Sequence, residues 1–276
     1  MPFEATASYV QRLAGTYRLT LSQVLDSAGI TLHGHGTPQA AELILTPRAA
    51  RHLAVLARIP LPHMTRALPH LTLNGAVHGT EAAARWKRLE AEQQPVRACT
   101  LCTRHRSHDA TDTAWVHPAP RRLVCPRHHQ AAPDPRLIST IRTRAAPELA
   151  AAYRAHQRLL RHLRAATAWT AARAITTRWY DHQHHLTHRW HTRLNQLIAD
   201  SPHLATTGSA SPALLTRDLV TYPETVALAR ALATLPNRPH RDTGNALNLI
   251  AHRLGLPRLP LNANDPLHAF LTHTRH

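Results

Sequence analysis

Lysine is almost missing from this chain: of 276 residues only Lys87 is one, and cysteine occurs three times, methionine twice and phenylalanine twice. Each scarcity closes a class. Three cysteines leave one unpaired and nothing marks the chain as secreted, so a disulfide framework is excluded. With aromatic residues at 4%, the core has to be built from leucine and alanine, which suits closely packed helices of modest diameter. No apolar run approaches the roughly 18 residues of a membrane span. The start, MPFEATASYV, lacks a basic region followed by a long apolar stretch, so no secretory signal is expected and the cytoplasm follows by default.

Catalytic signatures are equally scarce. The sequence has no G-x-x-x-x-G-K for nucleotide phosphates, no G-x-G-x-x-G turn and no G-x-S-x-G elbow. Its 16 acids are scattered, with no cluster suited to metal-assisted phosphoryl transfer. No H-x-E precedes Cys99, which excludes a zinc deaminase. A non-enzymatic protein is therefore expected.

What the chain does have is positive charge. Formal net charge is +17, which points to an anionic partner, most simply nucleic acid. The preference for arginine over lysine is weak evidence, because GC-rich codons produce it along with alanine and proline. The shortage of acids is not explained that way. Residues 136–200 hold eleven arginines against three acids, nearly half of the excess.

The three cysteines also fall in a pattern. Cys99 and Cys102, then Cys125 and His128, form a C-x2-C and a C-x2-H pair 22 residues apart, the arrangement of two knuckles around a tetrahedral zinc ion. Four protein ligands leave no position open, so one structural ion is expected rather than a catalytic one. His128 is favoured as the fourth ligand, His129 comes next, and one of His105, His108 or His117 after that. With the cysteines committed, no thiol nucleophile remains.

Elsewhere the reading is helical. Tyr9, Val10, Leu13, Ala14 and Tyr17 recur at helical spacing. Thr20 and Gln23 make a capping box for a second helix. Thr46 and Pro47 open a third, and a short fourth follows Pro60, burying Met64 and Leu68. This last pair is helix-turn-helix-like, with His63 and Arg66 as the groove readers, although core packing alone would also produce it. Trp86 and Leu89 are assigned to a polar helix. Between the knuckles, strands or loop are expected, with Trp115 and Val116 capping the zinc layer and Pro118 and Pro120 forbidding helix.

Beyond the AAPDPR linker, a helix from about Pro147 carries Arg154, Arg158, Arg161 and Arg164 on one face. A longer helix follows, with Trp169, Trp179, Trp190 and Leu197 on its stripe and Arg178, Arg189 and Arg193 largely off it. These seven arginines are the candidate nucleic-acid contacts. The segment HQHHLTHRWH places His184 and His188 four apart; with no cysteine or acid nearby it reads as surface or partly buried histidines rather than a second metal site. Further helices open at Pro223 and after Asp242, the latter stopped by Gly255, and the tail after Pro260 is expected to dock loosely.

The fold class expected is mainly α. It divides into a helical amino-terminal region (1–95), a small zinc-knuckle module (96–132) and a basic helical carboxy-terminal region (133–276).

Two stretches together are similar to the TniQ family. The opening FEATASYVQRLAGTYRLTLSQVL resembles the first two helices of those proteins, and ACTLC, Trp115 and LVCPRHH resemble their zinc module. The likeness covers about residues 1–132. It implies zinc at Cys99, Cys102, Cys125 and His128, and a packing role for Trp115. TniQ proteins are target-selecting adaptors of transposons that recognise DNA, or join an RNA-guided complex, and recruit a transposition ATPase and transposase; some are dimeric. The implied partners are therefore DNA, a transposition ATPase or another transposon-encoded protein, and a second copy of the chain. The alternatives are a domesticated DNA-binding regulator, or a protein-interaction module without a role in transposition.

Overall fold

Spacing of three and four between Val10, Leu13 and Ala14 winds α1 (Thr6–Tyr17), which buries Val10 and Ala14 and leaves Tyr17 exposed. The capping box of α2 (Leu21–Ser27) forms as expected. The Thr20 hydroxyl accepts the Gln23 amide at 3.3 Å while the Gln23 carbonyl accepts the Thr20 amide at 2.8 Å. The computed structural model describes residues 1, 3–71, 81–117, 123–206, 210–235, 243–260 and 264–273. These divide into two compact units, Met1–Thr140 and Ile141–His276, and helices make most of the regular structure in both.

The amino-terminal unit departs from an all-helical reading. It contains a sheet of β1 (Thr31–His33), β2 (Ala41–Leu45) and β3 (Ala83–Arg88) in the order β1-β3-β2, with β1 parallel and β2 antiparallel to β3. Every residue of β2 is buried, Glu42 among them, so this short stretch is a strand sealed on both faces. Trp86 lies in β3 opposite Leu43 rather than in a helix. Its ring sits against Gly36, where an added Cβ would come within 2.6 Å of it; only glycine permits that approach.

Next come α3 (Pro47–Leu56) and α4 (Leu61–Ala67), which start where the proline signals place them. Met64 and Leu68 point inward with Leu25, Leu43, Leu45 and Leu53, while His63 and Arg66 are exposed. The rest of this unit is short: β4 (Val96–Arg97), α5 (Thr100–Arg106), β5 (Trp115–Val116), β6 (Val124–Cys125) and β7 (Gln130–Ala131). Trp115 is buried, pairs with Arg97, and has that guanidinium 5.3 Å over its ring. The strand β5 also meets the start of the chain, through a bridge from Val116 to Glu4. Pro118 and Pro120 lie outside the described residues.

The carboxy-terminal unit is a helical assembly of α6 (Glu148–Leu159), α7 (Ala165–Asp181), α8 (Thr187–Asp200), α9 (Pro212–Val220), α10 (Tyr222–Thr234), α11 (Thr243–Arg253) and α12 (Pro266–His273). Its centre is α10, which is apolar on most sides and packs against α6, α7, α9 and α11. Trp179, Trp190 and Tyr222 are its largest fully buried side chains.

Three features differ from the sequence pattern. The long helix through residues 169–197 is two helices, α7 and α8, because Gln183 and His185 take left-handed φ values of 54° and 53° and turn the chain. The tail after Pro260 is anchored, with Asp265 and Leu267 buried. And α9 has no counterpart in the sequence reading. Gly255, at φ 62°, follows α11 as a terminator, whereas Asp242, the expected cap, lies outside the described residues. Among the described residues no helix is long and apolar enough to cross a membrane.

Candidate metal centre

The first knuckle is made by a helix start. Cys99 precedes α5, Cys102 sits in its first turn, and the Cys102 amide is directed at the Cys99 sulfur. A tight turn was expected here; an x2 spacing across a helix N-terminus does the same work, since one turn returns the third residue to the same side, and α5 carries on to Arg106 into the segment expected to be strand or loop. The second knuckle is a hairpin. Cys125 pairs with Gln130 in the β6–β7 ladder, and the intervening turn closes through the His129 amide, which donates to the Cys125 carbonyl at 2.9 Å. Within that turn the amides of Arg127 and His128 point at the Cys125 sulfur, and His129 adopts φ 50°. It is the His128 imidazole that meets the thiols.

The four donor atoms make a closed figure. Nδ1 of His128 lies 3.3 Å from Sγ of Cys99, 3.2 Å from Sγ of Cys102 and 3.7 Å from Sγ of Cys125, and the Cys102 and Cys125 sulfurs are 3.8 Å apart. A tetrahedral ion with metal–sulfur bonds of about 2.3 Å and a metal–nitrogen bond of about 2.0 Å needs edges of about 3.8 Å between sulfurs and about 3.5 Å from sulfur to nitrogen. The three sulfur–nitrogen edges bracket the one value and the sulfur–sulfur edge matches the other, so the donor set fits a metal ion in both chemistry and size.

Proton energetics point the same way. The Cys125 thiol is drawn down to about 4, first by the hydrogen bond from the Cys99 thiol and then by the amides of His128 and Arg127. Cys99 moves up in exchange, because it donates that bond and is partly buried, and burial raises Cys102. Without a cation one thiolate is supported at the expense of the other two. A divalent ion removes the conflict by letting all three ionise.

Sequence reasoning missed Gln130. Its carbonyl oxygen lies 3.1 Å from the Cys99 sulfur and accepts the Thr100 amide and hydroxyl at 3.2 and 3.1 Å. The first turn of α5 is thus capped from the hairpin, which ties the two knuckles together. Glutamine five residues after a cysteine carries no signal of this. His117, one of the alternative ligands, is occupied elsewhere: its Nε2 lies 2.6 Å from the buried Glu42 carboxylate.

No family model, curated protein or solved structure matches this chain.

The seven candidate arginines separate into three groups. Arg193 is buried; its guanidinium bonds to Glu148 at 2.7 Å, to both Glu224 oxygens at 2.9 and 3.0 Å, and to the Val220 carbonyl. All three of its nitrogens are bonded inside the protein, and it leaves the set of phosphate contacts. Arg164 and Arg189 are exposed yet engaged at helix ends. Arg164 donates to the Leu235 carbonyl after α10, and Arg189 to the Leu254 and Gly255 carbonyls after α11 at 2.6 and 2.7 Å, where unpaired carbonyls and the helix dipole attract a cation.

Arg154, Arg158, Arg161 and Arg178 are exposed and form no ion pair among the described residues. The first two share a face of α6; Arg161 follows the end of that helix, so the expected four-arginine face is shorter than the spacing implied.

A second group of donors comes together in the carboxy-terminal unit. His184 and His185, in the turn between α7 and α8, meet the Asp265 carboxylate that precedes α12, and their ligand atoms all lie within 4.8 Å of one another. The acid missing from the histidine segment in sequence is supplied 80 residues later. His188, the partner expected from helical spacing, is not in this group.

Proposed function

We propose that this protein is a non-enzymatic, metal-stabilised DNA-binding adaptor of the TniQ type, with zinc as the structural ion and target selection or recruitment in transposition as its task. The observation that carries the reading is the Cys99, Cys102, Cys125 and His128 figure. Its tetrahedral edges leave no room for substrate or activated water, so the ion holds the fold and performs no chemistry. The metal set agrees residue by residue with the TniQ-like motif, as does the helical opening of the chain.

DNA is the partner that the charge supports. Net charge is +17, and Arg154, Arg158, Arg161 and Arg178 stand in solvent without carboxylate partners among the described residues. Such contacts set affinity and register but carry no base information. Base reading falls to α3 and α4, the helix-turn-helix-like pair, with His63 and Arg66 exposed on α4.

A docking role for a transposition ATPase or another protein is the second reading. It is favoured by Leu163, fully exposed between Arg161 and Arg164, with exposed Leu160 beside it.

The test is duplex-DNA affinity across a salt series, with zinc content measured on the same sample. Four neutralised phosphates give a slope of log K against log salt of about −4, and each arginine replaced by alanine reduces it by about one. Weak binding with no salt dependence refutes the DNA reading and leaves the docking role.

A further inference from the structure

His184 and His185 are consecutive, and neighbouring side chains on an ordinary helix diverge by about 100°. Here the chain leaves α7 in a turn where Gln183 and His185 both hold left-handed φ values of 54° and 53°. Non-glycine residues adopt that region at a cost of about 1 kcal/mol or more each. The result is a tight reversal, closed by the His184 amide on the Trp179 carbonyl at 2.8 Å and the Leu186 amide on the His184 carbonyl at 2.6 Å. It brings the two rings to a centroid separation of 5.8 Å at an interplanar angle of 73°. Two imidazoles bound to one ion through bonds of about 2.0 Å have centroids about 5–6 Å apart.

Asp265 faces this pair from a different segment. Its carboxylate is buried, and its orientation is fixed by the Trp179 indole, 3.2 Å from both oxygens, and by the Leu267 amide, 2.8 Å from Oδ1. The remaining direction of Oδ2 is taken by Nε2 of His185 at 2.6 Å. The indole and the amide are outer-sphere support of the kind that orients a metal-ligating carboxylate. His184 completes the group from its half-exposed position.

We infer that His184, His185 and Asp265 form a second metal site, taking a divalent first-row transition ion such as zinc, with its remaining coordination positions filled by solvent. Two imidazoles and one carboxylate suit zinc, cobalt and nickel and disfavour calcium and magnesium, which take all-oxygen shells. Entry of the ion displaces the proton between His185 and Asp265. It widens their 2.6 Å contact to the roughly 3.3 Å edge of a tetrahedral site, a movement that the half-exposed turn can make. The ion then ties the α7–α8 turn to the segment ahead of α12. Unlike the cysteine centre, this one has fewer protein ligands than a closed site needs and is open to solvent.

Cobalt titration of the full-length protein tests it, because thiolate ligation produces a strong charge-transfer absorption that histidine and carboxylate ligation does not. The expected result is two equivalents bound per chain, the second appearing without growth of the thiolate band. His184→Ala, a change at a half-exposed turn, removes the second equivalent while the thiolate band keeps its full intensity. His182→Ala, at an exposed neighbour, retains both equivalents and so separates this site from general histidine binding. Saturation of the unaltered protein at one equivalent, or a second equivalent that survives both His184→Ala and His185→Ala, overturns the inference. Neither outcome bears on the DNA reading.

Discussion

The two units of this chain use their polar groups in opposite ways. In the amino-terminal unit, short helices and a three-stranded sheet are followed by a segment, Val96 to Ala131, whose regular elements have two to seven residues each. Elements that short bury little apolar area and cannot hold a fold alone. Four donors from α5 and the β6–β7 hairpin come together among them, and the proposed ion would hold these elements in place. The carboxy-terminal unit instead winds helices of up to 17 residues around α10 and fills its centre with Trp179, Trp190 and Tyr222. Where it buries charge, that charge is paired within the protein. If the four donors hold an ion as proposed, one unit is conditional on a ligand and the other largely on its own packing.

Metal removal breaks this comparison most directly. Structural zinc contributes on the order of 10 kcal/mol to small sites of this kind, as much as the whole stability of an ordinary domain. Chelation, or Cys99→Ser, is expected to abolish protection of the amides between Val96 and Ala131 in hydrogen exchange while those of α10 keep theirs. Equal loss in both units would show that the second is also metal-dependent at its core. Unchanged protection at Val96–Ala131 would show that the clasp is dispensable.

The counterpart in the carboxy-terminal unit is Arg193. Replacing it with methionine keeps most of the volume but leaves Glu224, 5% exposed, with only the Trp190 indole at 3.2 Å among the described residues. Breaking a buried pair from one side costs about 3–5 kcal/mol, which urea unfolding followed by tryptophan fluorescence would read. The double variant Arg193→Met with Glu224→Gln should recover most of the loss. If it recovers none, the packing of the arginine stem rather than its charge is what matters.

The contrast also decides what the sequence could disclose. The four-donor cluster was legible because its spacing is local and chemically restrictive, and the helix starts at Thr20 and Thr46 because caps are local too. The sheet was not. β2 is five residues long with Glu42 inside it, too short for its periodicity to tell helix from strand, and its partner β3 is about 40 residues away. The break between α7 and α8 was hidden because residues 182–185 are neither glycine nor proline, so nothing announces the left-handed turn. Spacing alone also put Arg193 off the apolar stripe. It is buried because Glu148 and Glu224 wait for it inside, a fact held by two other helices.

A smaller effect distinguishes the units by pH. His156 is fully buried, stacked on Trp169 at 4.1 Å with Nδ1 2.9 Å from the Tyr222 hydroxyl, and its Nε2 has no hydrogen-bond partner among the described residues. Burial lowers its pKa from 6.5 to about 4. The folded chain therefore refuses a proton that the unfolded chain accepts below pH 6.5. The stability contributed is complete above that pH, falls as pH drops towards 4, and is lost below it, about 3 kcal/mol in all. His156→Phe should flatten this part of the pH profile of the carboxy-terminal unit. It adds a constant cost of about 1 kcal/mol for the stranded Tyr222 hydroxyl. A profile of unchanged slope would mean that some other group carries the acid sensitivity.

The finest comparison uses the same motif in each unit. Thr46-Pro47 opens α3 and Ser211-Pro212 opens α9, and each hydroxyl accepts the amide three residues on, at 3.2 and 3.3 Å. Ser211 is exposed and does only this. Thr46 is buried, and its hydroxyl also accepts the Ala83 amide at 3.2 Å and donates to the Glu81 carbonyl at 2.9 Å, binding the start of β3 to the start of α3. Ser211→Ala should cost about 0.5–1 kcal/mol, the loss of one exposed cap. Thr46→Ala removes the cap and strands an amide and a carbonyl as well, for about 2 kcal/mol. Denaturant midpoints measured separately for the two units give the difference. Equal costs would mean that the sheet-side bonds are replaced by water, and that the amino-terminal unit has less internal cross-bracing than its geometry implies.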